Sequence, residues 1–313
     1  MKADIKNEGA DTDMRSNEES IGKLLRKMRK ERGFTQVQLS QGICSRTTLA
    51  TIETTNLTVN VDLLEKLLHR MNVDLYEFQI LRKSFAYKSR KEIYKDLQLK
   101  YEEGDLSIEK LQEEMQDNYK KTGNIAYLAI FMVFAKKILQ ENISSHLGEY
   151  TYEIEKIQKY FETVTQYTTY EISVMASCLF LFSTETILVL IGEWDRRISK
   201  KHSYSFQTIN NILAFYLNAV QLCLERQEVE ATSKILKSLE IYDLELPNRV
   251  YYRLMEKYYK SLLDMVLKET TNKDIEKIYD LFLFLGYERK SETLKRNTEN
   301  LLKLNKCRDS LQK

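Results

Sequence analysis

Arg46, Thr47, Ala50 and Thr51 fall on one face of a segment that Ser45 can cap as a helix. Near a helix N-terminus, such a set could read base edges. Arginine can donate two parallel hydrogen bonds to guanine, and threonine offers either a hydroxyl or a methyl group. Gln36, which follows Thr35 at another helix start, could hold a phosphate with its amide and the helix end. The segment before it carries Lys23, Arg26, Lys27, Arg29, Lys30 and Arg32 against Glu31 alone. That pattern fits a phosphate-binding face, with Lys27 and Lys30 as the candidates, and it fits an ordinary solvated helix surface as well.

Catalysis finds no comparable set. There are three histidines (His69, His146, His202), no G-x-x-x-x-G-K-[ST], no G-x-G-x-x-G, and no nucleophile with a base at a recognisable spacing. Cys44, Cys178, Cys223 and Cys307 lie far apart without a C-x-x-C pair. This argues against a zinc site or disulfide framework and for a reducing cytosol. Cys178 and Cys223 sit on apolar helix faces and read as core thiols. No enzyme, metal or cofactor is therefore expected. The N-terminus lacks the apolar core of a signal peptide. The stretch from Ile172 to Ile191 is broken by Ser183, Thr184, Glu185 and Thr186, so neither half reaches the ~20 residues of a bilayer span. A buried helix hairpin there, no membrane contact and a cytoplasmic protein are the expectations.

The elements that must position these residues are helical. With one proline and nine glycines in 313 residues, strand turns are scarce, and an all-α protein of two domains is predicted. Residues 1–16 read as a disordered extension, 17–82 as a first domain, 83–89 as a charged hinge and 90–313 as a second domain. Residues 17–83 carry eleven Lys/Arg against eight Asp/Glu, while 84–313 are neutral, so the excess positive charge belongs to the first domain. Five helices are predicted there. Ser20 caps the first, which runs to Gly33; Thr35 and Gln38 have capping-box spacing for the second; Ser45, Asn60 and Asp74 with Glu77 open the others. Gly42-Ile43-Cys44 joins the second and third helices at the spacing of a helix-turn-helix. Leu49, Ile52 and Thr48 are expected to face the core.

The string Gly22-x-x-Leu25-Arg26-x-x-Arg29-x-x-x-Gly33-x-Thr35-Gln36-x-x-Leu39 resembles the Xre/Cro-type helix-turn-helix. So do Leu49-x-x-Ile52-Glu53 and Leu64-x-x-Leu67-x-x-x-Met71-x-Val73. The resemblance implies double-stranded DNA binding, with a dimer reading two half-sites. It also implies an ion pair between Arg29 and Glu53 that ties the first helix to the third. Thr54-Thr55-Asn56 lacks the glycine usual after that glutamate, and Asn60-Val61 lacks the proline usual before the fourth helix.

Beyond residue 89, helix starts fall near Ser89, Ser107, Asn124, Ser145, Thr168, Thr184, Ser205, Glu228, Asn248, Asp274 and Lys290. Gly104, Gly123, Gly148, Gly192 and Gly286 lie at or near the joints. Alternate starts are spaced like tetratricopeptide-type helix pairs, which predicts a repeat solenoid, although the repeat consensus is not legible. Gln166-Tyr167-Thr168-Thr169-Tyr170-Glu171-Ile172, Phe282-Leu283-Phe284-Leu285-Gly286-Tyr287 and Lys295 resemble the Rgg/GadR/MutR family. That resemblance implies a cytosolic homodimeric regulator, joined largely through its C-terminal repeats, which senses a short pheromone peptide in quorum sensing. Asn211, Phe215, Asn218 and Leu222 recur on one helix face, where asparagine amides could pair with a peptide backbone. Asn218 matches a family asparagine, and it could equally serve packing between helices. Tyr251, Leu254, Met255 and Tyr258 could supply side-chain pockets. Ser177 and Phe180 stand where relatives carry asparagine and arginine, which favours a short apolar peptide. The alternative is an Xre-type repressor or repeat scaffold controlled by a protein partner.

Overall fold

The computed structural model describes residues 20–55, 57–82, 90–104, 107–139, 143–199, 205–242, 249–268 and 273–311. The expected N-terminal extension and the 83–89 hinge lie outside them. The chain divides into two compact units, Met1–Asp96 and Leu97–Lys313, and the division falls within a helix. No strand occurs among the described residues.

The first unit contains α1 Ile21–Glu31, α2 Gln36–Ser40, α3 Arg46–Thr54, α4 Val61–Arg70 and α5 Leu75–Arg82. Its helix starts are set locally. Ser20 Oγ accepts from Lys23 N–H, Thr35 and Gln38 form a capping box, Ser45 Oγ accepts from Thr48 N–H, and Asn60 Oδ1 accepts from Asp62 N–H. Leu24, Leu25, Met28, Leu39, Leu49 and Ile52 enter one core with Leu64, Leu67, Leu68 and Phe78. Arg70 on α4 donates to the carbonyls of Leu39 at 3.2 Å, Gln38 at 3.3 Å and Gln41, so it closes the C-terminal end of α2. Nothing in the sequence pattern announced that role.

Two contacts fix α3 on α1. A Cβ on Gly22 would lie 1.8 Å from the carbonyl oxygen of Ile52, so the two backbones touch where only hydrogen fits. Two helical turns further along α1, Arg29 Nε donates to Glu53 Oε1 at 2.5 Å and its Nη2 donates to Oε2 at 2.7 Å. The Glu53 side chain is 0% exposed and that of Arg29 is 9% exposed. Arg29 Nη1 also donates to the Phe34 carbonyl at 2.8 Å, which draws in the α1–α2 turn.

The second unit begins in α6 Arg90–Glu102 and continues through α7 Ile108–Thr122, α8 Ala126–Leu139, α9 Ile143–His146 and α10 Thr151–Thr163. It then runs through α11 Thr169–Ser177, α12 Thr184–Ser199, α13 Phe206–Glu225, α14 Val229–Ser238, α15 Val250–Lys268, α16 Lys273–Phe284 and α17 Glu288–Leu311. Residues 172–191 form the end of α11, a short 3-10 turn and the start of α12, and the two helices pack mainly on others, α11 on α13 and α12 on α14. Gly104, Gly123 and Gly286 take positive φ at joints, but Gly192 lies inside α12, where it interrupts nothing. Gly148 sits in a 3-10 turn between α9 and α10.

Helices α8, α11, α13 and α15 pack in one row, each against the next, and α12 and α14 pack behind them. The row keeps a register. Asn211 Nδ2 donates to Thr169 O and Asn218 Nδ2 donates to Ala176 O, both across 42 residues. Tyr252 Oη donates to Asn210 O across the same 42. The two asparagine bonds set α13 parallel to α11 in one register, and Tyr252 ties α15 to α13 at the same sequence spacing, as in stacked helix pairs. An edge-to-face file of rings fills the interior: Tyr167 on Trp194, Trp194 on Phe215 at 4.7 Å, and Tyr216 on Tyr242. Thr168 and Glu171, within the string 166–172, form the capping box that starts α11, and Tyr160 Oη donates to the same carboxylate.

The Gly22 contact yields a paired test. Gly22→Ala must push α1 off α3 and should destabilise the chain by about 1–3 kcal/mol. Gly192→Ala meets nothing within 4 Å and, in a helix interior, should stabilise it by roughly 0.5–1 kcal/mol. Urea denaturation of the two variants should move the midpoint in opposite directions.

Candidate functional site

The outward face of α3 is built from its cap. Ser45 Oγ accepts from Thr48 N–H at 2.9 Å, and the two hydroxyls share a hydrogen bond at 2.8 Å. Leu49 and Ile52 are buried, whereas Thr48 is exposed, which corrects the expectation that it faces the core. The N3 position of a capped helix turns its side chain back to the cap, and that local bond wins over helical periodicity. Arg46, Thr47 and Thr51 are exposed, and Ala50 is half-buried. Thr51 Oγ1 donates to Thr47 O at 2.9 Å, Thr54 Oγ1 to Ala50 O at 2.8 Å, and Thr55 Oγ1 to Thr51 O at 2.7 Å. With its hydroxyl used within the helix, Thr51 has a methyl group to offer.

The other residues expected at this surface divide. Thr35 uses its hydroxyl in the α2 cap, and Gln36 Nε2 donates to Glu53 Oε2 at 3.0 Å. Both side chains are thus committed inside the unit, and Gln36 extends the Arg29–Glu53 pair rather than standing free. Burial alone would raise the Glu53 carboxyl pKa. The hydrogen bonds from Arg29 and Gln36 and the charges of Arg29 and Arg26 outweigh it and hold the pKa below the usual carboxylate value. The hydrogen bond to Glu53 raises the Arg29 pKa in turn. Lys27 and Lys30 are exposed, and with Lys23, Arg26 and Thr54 they line a shallow basic groove beside the C-terminal end of α3.

A second candidate lies in the other unit. Lys136 of α8, Ser177 at the end of α11, Phe180 of the 3-10 turn, and Asn218, Gln221, Leu222 and Glu225 of α13 line a depression of about 160 Å³. Four of the residues expected to bind a peptide meet here: Asn218, Ser177, Phe180 and Leu222. Asn211 lies nearer the start of α13 and is tied to Thr169. Tyr251 is exposed against Tyr252 and Lys290, and Leu254 is half-buried. Phe215 and Tyr258 are 0% exposed and Met255 is 2% exposed, so these three are core residues, not pocket walls. Tyr258 Oη bonds to Leu294 O at 3.1 Å and to Thr298 at 3.0 Å, joining α15 to α17. Lys136, Gln221 and Glu225 were missed. Gln221 had a signal, three residues from Asn218, whereas Lys136 arrives from a helix far upstream.

None of the three described cysteines is exposed. Cys223 is buried and its thiol is pushed up to about 11 by that burial; burial also raises the Cys44 thiol. Cys178 is buried, with its S–H on Val174 O at 3.1 Å. Among the described residues, no group of three or more His, Cys, Asp or Glu could hold a metal ion, and no helix is long and apolar enough to cross a membrane.

Comparisons with known proteins agree with this arrangement. Residues 25–78 match the helix-turn-helix family model, and residues 108–296 match the model for the C-terminal domain of the HTH-type transcriptional regulator Rgg. No curated protein matches the sequence. Among solved structures, one similar chain is a putative transcriptional regulator from Listeria monocytogenes EGD-e, with 17% identity and a TM-score of 0.69 over 91% of this chain and 98% of that one. Another is the SHP pheromone receptor Rgg2 of Streptococcus dysgalactiae, with 16% identity and a TM-score of 0.68 over 90% and 100%. A third is PrgX in the PrgX/cCF10 complex, with 15% identity and a TM-score of 0.66 over 88% and 98%. At these identities the structures speak for the fold. The Rgg model covers more than half of the sequence, and the chain belongs to the Rgg family of helix-turn-helix transcriptional regulators.

Proposed function

We propose that this regulator acts in the cytoplasm as a homodimer, binds two DNA half-sites through α3, and is switched by a short signalling peptide bound to its second unit. The observation that carries the peptide half is the amide-lined depression. Asn218 spends one N–H on Ala176 O and keeps a carbonyl oxygen and a second N–H for a ligand. An extended peptide offers matching groups at every residue. Two of the similar structures support the same reading, one a pheromone receptor and another a bacterial peptide pheromone/receptor complex. For the homodimer, support comes from the α16–α17 joint, where Leu283, Phe284, Leu285 and Tyr287 are exposed together, Phe284 at 85%.

At the DNA, Arg46 and Thr47 are assigned to base edges, Ala50 and Thr51 to apolar contact with a thymine methyl, and Lys27 and Lys30 to phosphate. Thr35 and Gln36 support α3 from behind and can reach phosphate only from the start of α2. Arg29 and Glu53 hold the frame.

Two experiments test the reading. Full-length protein should select a duplex from a random pool. On that duplex Arg46→Ala should relax preference at one position by about 1–3 kcal/mol. Lys30→Ala should weaken all sequences alike and lower the salt slope by about one. Thr51→Val should keep the selected preference, whereas Thr51→Ser should lose it at one T·A pair. Uniform weakening by Arg46→Ala would sink its assignment. For the ligand half, short apolar peptides from the source organism's culture medium should raise the melting temperature of the full chain. A regulator controlled by a protein partner would show no such rise.

A further inference from the structure

Two groups in the depression between α8, α11 and α13 are not satisfied by the chain itself. Gln221 Nε2 donates to Glu225 Oε1 at 2.8 Å, which fixes the amide, yet Gln221 Oε1 is buried with no hydrogen-bond partner. A buried amide oxygen in that state has lost its water and gained nothing in return. Opposite, Lys136 places its ammonium 4.7 Å from the centre of the Phe180 ring. Among the described residues no carboxylate pairs with Lys136. The ring face attracts the ammonium electrostatically but carries no counter-charge. The depression therefore presents an unused acceptor and a cation with no carboxylate in ion-pair contact, and Asn218 contributes a spare N–H.

A volume of about 160 Å³ is small beside the ~300–1,000 Å³ of typical small-molecule sites, and it suits one residue of an extended chain. The matching chemistry is a residue that brings a backbone N–H and a carboxylate together. Building on the peptide-sensing reading, we propose that this depression is a carboxylate-recognition subsite for the bound peptide. Gln221 Oε1 accepts the ligand's N–H, and Lys136 takes the carboxylate. The spare N–H of Asn218 donates to the same carboxylate, and Phe180 and Leu222 cover the apolar part. Glu225, at the end of α13, gives the site a second, negative pole and so sets the direction of the chain. The carboxylate can be the peptide's C-terminus or an Asp or Glu side chain, and both meet the same groups.

The test uses fluorescein-labelled octapeptide pools, degenerate in Leu, Ile, Val and Phe, titrated with the full-length protein by anisotropy. Four forms are needed: free C-terminus, amidated C-terminus, amidated with one Asp, and amidated with one Asn. The expected result is that a carboxylate form binds at least tenfold tighter than its neutral counterpart. Free acid over amide assigns the C-terminus, and Asp over Asn assigns a side chain. Lys136→Met should erase that tenfold preference, and Lys136→Arg should restore it. Gln221→Met should weaken every form by threefold or more. Equal binding of all four forms, or a preference that survives Lys136→Met, overturns the subsite while leaving peptide sensing intact. Failure of every pool to bind overturns the peptide-sensing reading and the subsite with it.

Discussion

Arg29 and Glu53 meet through two parallel hydrogen bonds beneath α1 and α3, with almost no water reaching either side chain. Removing two charges from water is costly, and a buried pair of this kind is weak evidence for stability as such. What it supplies is geometry. A guanidinium fork against a carboxylate fixes both the separation and the angle of the groups that carry it. Two turns earlier on α1, Gly22 fixes the same interface by letting the Ile52 carbonyl approach to a distance no side chain allows. With the Ile52 carbonyl and the Glu53 carboxylate both held by α1, the rotation of α3 about its own axis is set. Arg46, Thr47 and Thr51 then face outward because Leu49 and Ile52 cannot. Gln36 and Phe34 join the pair through their own hydrogen bonds, so the turn and the start of α2 follow α3 rather than moving independently.

The second unit uses amides for a comparable purpose. Asn211 and Asn218 stitch α13 to the two ends of α11, and Tyr252 stitches α15 to α13 in the same register. Apolar packing tolerates sliding, whereas a hydrogen bond to a particular carbonyl does not, so these polar groups specify the offset of the stack. The choice posed for Asn218 between packing and ligand binding is not exclusive. Its amide has four hydrogen-bonding positions, and the α11 carbonyl takes one.

Much of this was legible because helix ends are local. Ser20, Thr35 with Gln38, Ser45, Asn60, Ser107, Thr168 with Glu171 and Ser205 all cap the helices their spacing announced, because a cap needs only a few neighbouring residues. What failed was non-local. Phe215 shares a face with Asn218 by periodicity, but α13 is packed by α11, α12, α14 and α15, and the pattern cannot say which sector stays open. Tyr258 looked like a pocket wall and is a buried tie to Thr298, forty residues away. Gly192 resembled a joint, yet no neighbour or positive φ requires a break there. Lys136 and Arg70 act on groups from other elements, which spacing along the chain does not encode.

The central claim is that α3 presents one defined face to DNA while α1, with Gly22 and Arg29, holds it from behind. Backbone amide chemical shifts of the full-length protein, followed as the selected duplex is added, test it most directly. The account predicts that the largest perturbations cluster at Arg46, Thr47, Ala50 and Thr51. Smaller, salt-sensitive changes should appear at Lys27 and Lys30, and Leu49, Ile52 and Glu53 should stay close to their free positions. Perturbations centred on α4 and α5, with the α3 face unmoved, would contradict it.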